Sequence, residues 1–394
     1  VSEDFSPPLR SCFVDCFFQM SPVLQTLADL VRINSVNSSY DGGPGEREIA
    51  GYVWRFFEQR GIEVWEEDVF PGRPNVIARL PGRDPGRRLV LEAHTDTVSV
   101  KGMTIPPFEP VIVDGKMYGR GSCDTKAGLA TMMHAMASLK ADGITPPCEV
   151  LLAAVVDEEF SYRGVVKLCE SLKADAAIVA EPTEMRAVIA TKGVLRCRIV
   201  VRGKSAHSSK PHLGVNAITH MARVIAAIEA DNDRMAAVQH PLVGCGTCNV
   251  GVINGGVQVN FVPDICAIEI DRRLLPGERA DDAVAHYRQL LQGIGGITAE
   301  VEEPLLLVDE ALDTPAGSAV VQTASRVLRE MGLNPDPCGV PFGCDASKLS
   351  RAGIPSIVFG PGSIDRAHTV DEYVELDQVE QALEFQRRFI LSFA

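Results

Sequence analysis

Several apolar runs of strand length each end in a polar or glycine-rich group, and this repetition constrains the chain more than any other feature. Leu89-Val90-Leu91-Glu92-Ala93 runs into His94-Thr95-Asp96, and Glu149 to Val156 into Asp157-Glu158-Glu159. Ala176 to Ala180 runs into Glu181, and Ser356 to Phe359 into Gly360-Pro361-Gly362. Helical periodicities separate them. After Asp124, Leu129, Met132, Met133, Met136 and Leu139 share one stripe, which reads as core packing, with His134 a packed or surface histidine. Gly164 to Leu172 reads as a further helix. Alternating strands and helices predict a mainly parallel α/β sheet, which collects ligands at the carboxyl ends of its strands.

Ser21-Pro22 opens the first helix, Glu46 to Arg60 forms a second, and Asp114-Gly115 marks a hairpin. The pattern changes near Lys192. A strand from Val194 to Val201 precedes a helix from Gly214 to Asp231, with Ile218, Met221, Ala222, Ile225 and Ile228 expected inward. Asn249 to Ile253 and Gln258 to Phe261 flank Asn254-Gly255-Gly256, predicting a hairpin; a strand, Cys266 to Arg272, and a helix, Asp281 to Leu291, follow. Strand–helix–strand–strand–helix–strand fits a compact, ferredoxin-like α+β unit. Metal-type residues resume only at His368, so the unit is read as an insertion. The expected division is residues 20–191 with 305–394 for one domain, 192–304 for the insertion, and 1–19 as a poorly ordered extension.

A chain of 394 residues is long for one core, which agrees with two domains. A formal charge of −14 argues against nucleic acid, and the sequence shows no apolar run long enough to span a membrane. Eleven scattered cysteines suggest thiols in a reducing cytoplasm rather than a disulfide framework. Cys245-Gly246-Thr247-Cys248 has no second pair to complete a zinc site.

Two histidines and four acidic residues beside turns or strand ends form a set suited to zinc, with cobalt or manganese as alternatives. Neighbouring side chains diverge, so one of Glu158 and Glu159 can hold a metal while the other faces a water.

The ordered motifs resemble one family. They are Phe70 to Arg79, Glu92 to Val98, Tyr118 to Gly128 with Gly119-Arg120-Gly121-Ser122-Cys123-Asp124, Val156 to Glu159, Ala180 to Thr183, Gly203 to Ser209, Asn260 to Pro263, Asp271 to Arg273, and Gly360 to His368. The chain from about Ser21 onward is similar to the acetylornithine deacetylase, succinyl-diaminopimelate desuccinylase and glutamate carboxypeptidase family of di-zinc hydrolases. The resemblance implies that His94 and Glu181 bind one metal, that Glu159 and His368 bind the other, and that Asp124 bridges them. By making Glu159 the ligand, it implies Glu158 as the candidate general base. It implies that Asp96 accepts the second ring N–H of His94, and that the Asp124–Thr125 peptide is cis. His207, with His212 as a local decoy, would come from the partner subunit of a homodimer formed through the insertion and donate to the developing oxyanion. Asn260 and Arg273 would hold the substrate's carboxylate or acyl part, with Arg272 as the alternative. Gly360 and Gly362 would let backbone approach substrate. Asp345 would either support a ligand or cap a helix.

These implications give a metal-dependent amide hydrolase with two divalent ions per subunit. Its expected substrate is a small N-acyl amino acid, as in arginine biosynthesis. A dipeptide, for a dipeptidase or glutamate-type carboxypeptidase, is the alternative. A non-catalytic, metal-stabilised binding dimer is the reading from another class, and its mark would be a lost base or ligand.

Overall fold

The computed structural model describes residues 20–394; the expected extension at 1–19 lies outside them. The chain begins with helices α1 (Pro22–Arg32) and α2 (Arg47–Glu58), then strands β1 (Glu63–Phe70), β2 (Arg73–Leu80) and β3 (Asp84–His94). A short hairpin of β4 (Val111–Val113) and β5 (Lys116–Tyr118) leads to α3 (Lys126–Ala141), β6 (Cys148–Val155), α4 (Arg163–Cys169), β7 (Ala176–Val179) and β8 (Val188–Thr191). The second sheet uses β9 (Gly193–Arg202), β11 (Thr247–Gly255), β13 (Ile265–Leu274), β14 (Thr298–Val301) and β15 (Leu307–Asp309). Alongside run β10 (Ala206–His207), β12 (Phe261–Val262) and helices α5 (Ala217–Ala236) and α6 (Ala280–Gln292). The chain closes with α7 (Ala319–Glu330), β16 (Cys338–Val340), α8 (Ala346–Arg351), β17 (Ser356–Val358), β18 (Tyr373–Glu375) and α9 (Leu376–Ser392).

Local chemistry accounts for the ends and faces of these elements. Ser21 caps α1 by accepting from the Leu24 N–H, and Pro22 sits where no N–H is needed. Helix α3 is apolar almost all round because it is enclosed: Leu129, Met132, Met133, Met136 and Leu139 are fully buried, and the helix packs on α1, α9 and β3. His134 is packed too, bonded to Thr26 at 2.8 Å and set edge-on to Phe56.

The large sheet has eight strands in the order β1-β2-β6-β3-β7-β17-β8-β16. Its centre, β6-β3-β7-β17, is parallel throughout. Those four carboxyl ends therefore lie at one edge, and they carry Asp157–Glu159, His94, Glu181 and Gly360 in turn. The remaining pairs are mixed, so the fold is α/β with a large mixed sheet flanked by helices.

The second sheet, β11-β13-β9-β14, is antiparallel and has its own core of residues such as Leu195, Ile199, Met221, Ile228 and Ile268. Three expectations change here. The predicted hairpin across Asn254-Gly255-Gly256 does not form: β11 pairs with β13, while β12 pairs with β10. The local glycine signal marks the end of β11, and the pairing is decided by the longer apolar strand. In α5 the inward stripe is Ala217, Met221, Val224, Ile228 and Met235; Ile218 and Ala222 are exposed. Finally, β15 still pairs with β9, so this sheet reaches Asp309, past the expected boundary at 304.

Candidate functional site

His94 ends β3, and its ring is nearly enclosed. Its Nε2 lies 3.0 Å from Asp124 Oδ1 and 3.9 Å from Glu181 Oε1. His368 Nε2 lies 3.2 Å from the other Asp124 oxygen, Oδ2, and 3.1 Å from Glu159 Oε1. Asp124 thus stands between two imidazoles and offers one carboxylate oxygen to each. The Asp124–Thr125 peptide bond is cis. Asp157 and His368 adopt left-handed backbone, with φ of 71° and 59°. Non-glycine residues take that conformation at a cost, and the surrounding contacts hold them there.

The electrostatics ask for cations. Burial pushes Glu158 and Glu181 well above the usual carboxylate range, and Glu159 in the same direction. Burial also raises Asp124, but bonds from His368 and His94 outweigh it and hold that carboxyl low. Ligand atoms of His94, Asp124 and Glu159 all lie within 4.8 Å of one another, which among the described residues is the one such cluster. Imidazole and carboxylate donors crowded at this spacing fit divalent ions of the zinc type. Cys245 and Cys248 belong to no such cluster.

Glu158 lines the cleft beside this cluster. The turn that carries it is braced from below. Asp96 Oδ1 and Oδ2 accept the backbone N–H groups of Glu158 and Glu159, both at 3.1 Å. Asn37 donates to Asp96 at 2.8 Å and to Asp157 at 3.0 Å. Arg73 joins Glu46 to Asp157 behind it. Asp96 faces His94 as well. His94 Nδ1 lies 3.0 Å from the backbone carbonyl of Asp96 and 3.6 Å from its carboxylate, which is shared with the turn that carries Glu158 and Glu159.

A second brace holds Asp124. Glu372 accepts the N–H groups of Cys123 and Asp124, at 2.9 and 3.0 Å, and the guanidinium of Arg120 at 2.6 Å. Sequence reading missed Glu372 and Asn37. The signal for Glu372 was an acidic residue four places after His368; for Asn37 no local signal exists.

The cleft has a volume of about 320 Å³, and Arg273 and Arg196 line it opposite the carboxylates. The alternative, Arg272, faces away: it is buried and bonded to Glu278 at 3.0 Å. His207 and Asn260 do not reach the cleft in this chain. His207 is exposed with Nδ1 2.9 Å from Ser209 Oγ, and the exposed Asn260 accepts at its carbonyl from Ser208. His212 is exposed as well.

Gly360 and Gly362 do not line the cleft either. A side chain at Gly360 would meet the Glu181 carbonyl at 2.6 Å, and one at Gly362, where φ is 86°, would meet Cys123 Sγ at 2.5 Å. Their smallness lets these loops pack closely on each other. Asp345 precedes α8 without capping it; burial holds its carboxyl up at about 7, next to Glu92 beneath His94.

Comparison with known proteins adds to this geometry. A family model described as Peptidase family M20/M25/M40 matches residues 90–392. The chain is 32% identical to the acetylornithine deacetylase of Myxococcus xanthus, over 90% of this chain and 93% of that protein. It is 27% identical to the N-formyl-4-amino-5-aminomethyl-2-methylpyrimidine deformylase of Bacillus subtilis, over 88% of each. The aminopeptidase PepT structure from Bacillus cereus superposes with a TM-score of 0.78 at 26% identity, covering 94% of this chain and 98% of that one.

Proposed function

The chain belongs to peptidase family M20/M25/M40 and is a hydrolase of amide or peptide bonds; from that premise, we propose that it deacylates a small N-acyl amino acid. The observation that carries the reading is Asp124 set between His94 and His368, one oxygen to each. In this reading His94 and Glu181 hold one divalent ion, Glu159 and His368 hold the other, and Asp124 is shared. Zinc fits the donors, with cobalt or manganese as alternatives. When bound, such ions acidify a water and polarise the scissile carbonyl.

Glu158 takes the proton from the attacking water and returns it to the departing amine. Its place in the cleft beside the metal-type ligands suits that exchange. Asp96 sets the height of Glu158 and Glu159 through their backbone N–H groups. His207 and Asn260 act from a second copy of the chain, His207 on the oxyanion and Asn260 on the substrate's acyl or carboxylate end. The dimer reading is supported by β11, an edge strand with Val252 and Ile253 exposed, and by Ile218 exposed on α5. Free thiols at all nine cysteines of the described residues favour a cytoplasmic setting.

The deacylase reading rests on the two curated relatives, whose names describe removal of acetyl and formyl groups. Likeness to an aminopeptidase structure keeps di- and tripeptides as the second reading. Because the chain is a hydrolase, the non-catalytic binding dimer is set aside. The experiment is amine release from N-acetyl, N-formyl and N-succinyl amino acids and small peptides, with zinc or cobalt and with chelator. Chelator-sensitive release from the acyl amino acids is expected; release from peptides alone overturns the deacylase reading.

A further inference from the structure

The cleft contains a charged cluster around Arg273, already expected to hold the substrate's carboxylate, in which Arg196 has no assigned role. β9 and β13 are antiparallel neighbours, with Asp271 directly opposite Arg196. Asp271 accepts from Arg196 Nε at 2.8 Å and from Arg273 Nε at 2.7 Å. One carboxylate thus ties two guanidiniums side by side through their inner nitrogens. Apart from a long 3.4 Å contact from Arg273 Nη2, their outer nitrogens make no hydrogen bond among the described residues. Both arginines line the same cleft as Glu158 and the metal-type ligands. The charge of Arg196 also reaches Tyr40, whose hydroxyl donates to the Glu159 carbonyl at 3.0 Å. The cluster, two cations and one anion, retains one positive charge close to the reacting centre.

The rest of the lining is equally selective. Every carboxylate that lines the cleft, Asp124, Glu158, Glu159 and Glu181, already belongs to the metal-type cluster or its base. Among the described residues no acidic group is left there for a cationic substrate side chain. The free wall is aromatic and aliphatic, from Tyr40, Val98, Phe160, Leu307, Phe342 and Ile364.

We infer that Arg196 joins Arg273 in holding the substrate's carboxylate, and that the amino acid released carries an apolar side chain rather than a cationic one. This rests on the deacylase reading and narrows its substrate class. Two outward guanidinium faces give a carboxylate charge-assisted, forked hydrogen bonds. A terminal ammonium would meet those cations with nothing to pair it, whereas a leucine or phenylalanine side chain meets the apolar wall. Arg196 is therefore a specificity-determining residue that its position on an ordinary strand conceals.

The test uses the full chain loaded with zinc, and N-acetyl-leucine, N-acetyl-phenylalanine, N-acetyl-ornithine and the carboxamide of N-acetyl-phenylalanine. The apolar acids should exceed N-acetyl-ornithine in kcat/KM by about tenfold or more. Arg196→Gln should raise KM for N-acetyl-phenylalanine roughly 10–100-fold with little change in kcat, and raise it far less for the carboxamide; Arg196→Lys should recover part of the loss. Preference for N-acetyl-ornithine, or equal losses on acid and carboxamide, overturns the inference. Calorimetric binding of N-acetyl-phenylalanine to Glu158→Gln separates the two readings. Binding that disappears on adding Arg196→Gln upholds the clamp even where no amide is hydrolysed. Absence of binding, or binding indifferent to Arg196, overturns the clamp even where hydrolysis occurs.

Discussion

On one bank of the cleft His94, Asp124 and Glu181 are 2, 6 and 5% exposed, and buried carboxylates brace the turns that hold Asp124 and Glu159. On the other bank Arg196 and Arg273 have side chains 49% and 29% exposed, and Asp271 is their shared partner. The first bank stands at the ends of parallel strands inside the large core; the second stands on a separate antiparallel sheet with a smaller core. The contrast divides labour. Groups that must hold charge at fixed spacing need a rigid low-dielectric frame, and groups that choose a substrate need access to solvent and room to change.

Substitutions should therefore fail differently on the two banks. The largest effect is expected for Glu158→Gln, with kcat lower on the order of 10³-fold and metal content unchanged. Metal analysis beside turnover checks this; full activity, or loss of metal, breaks the assignment of Glu158 as base. Next, His207→Ala should lower kcat about 100-fold with metals retained, as loss of an oxyanion donor does. Mixing this variant with Glu158→Gln should regain activity, because a mixed dimer assembles one complete site; no regain argues that the insertion does not serve a neighbour.

Asp96→Asn should weaken metal binding about tenfold, since the turn bearing Glu158 and Glu159 loses its anionic brace. Chelator competition reads this directly, and an unchanged affinity would move Asp96 out of the rigid bank. The mildest test is pH. In the metal-free chain burial opposes the charge on His368, but Asp124 and Glu159 outweigh it and keep the ring protonated up to about 11. Asp124 likewise holds His94 well above its ordinary value against burial. Because both folded pKa values are raised, metal must displace protons across neutral pH, and affinity should climb as pH rises. The slope should reach roughly tenfold per pH unit for each proton displaced. Calorimetry in buffers of different ionisation enthalpy counts those protons, and a flat response would contradict the electrostatics of the cluster.

The rigid bank was also the more legible one. His94, Glu159 and Glu181 follow apolar runs whose length and burial make them central strands, so sequence alone brought them to one edge. Long-range packing was not legible. Gly360 looked like a substrate contact, yet its partner is the backbone of Glu181, far away in sequence. Asp96 was expected beside its neighbour His94, and its carboxylate also serves the turn after β6, which no local pattern announces. Arg196 was missed because outward arginines on a strand, such as Arg198 and Arg202, ordinarily form exposed ion pairs, as those two do. Its pairing with Asp271, and the neighbouring Arg273, appear only once β9 and β13 are in register. The false hairpin at Asn254-Gly255-Gly256 has the same origin: a strong local turn signal lost to a longer partner strand.

The bond from Glu372 to the Cys123 and Asp124 amides has a consequence for the order of events during synthesis. It joins positions 249 and 248 residues apart, and His368 lies just before it in the chain. A growing polypeptide exposes His94, Asp124, Glu159 and Glu181 early, as a crowd of buried acids with neither the second imidazole nor the staple. The whole second sheet must leave the ribosome before either arrives. On the proposed two-metal reading, a chain released early would carry most of the donors but lack the second imidazole, so that complete metal capture would mark a finished molecule.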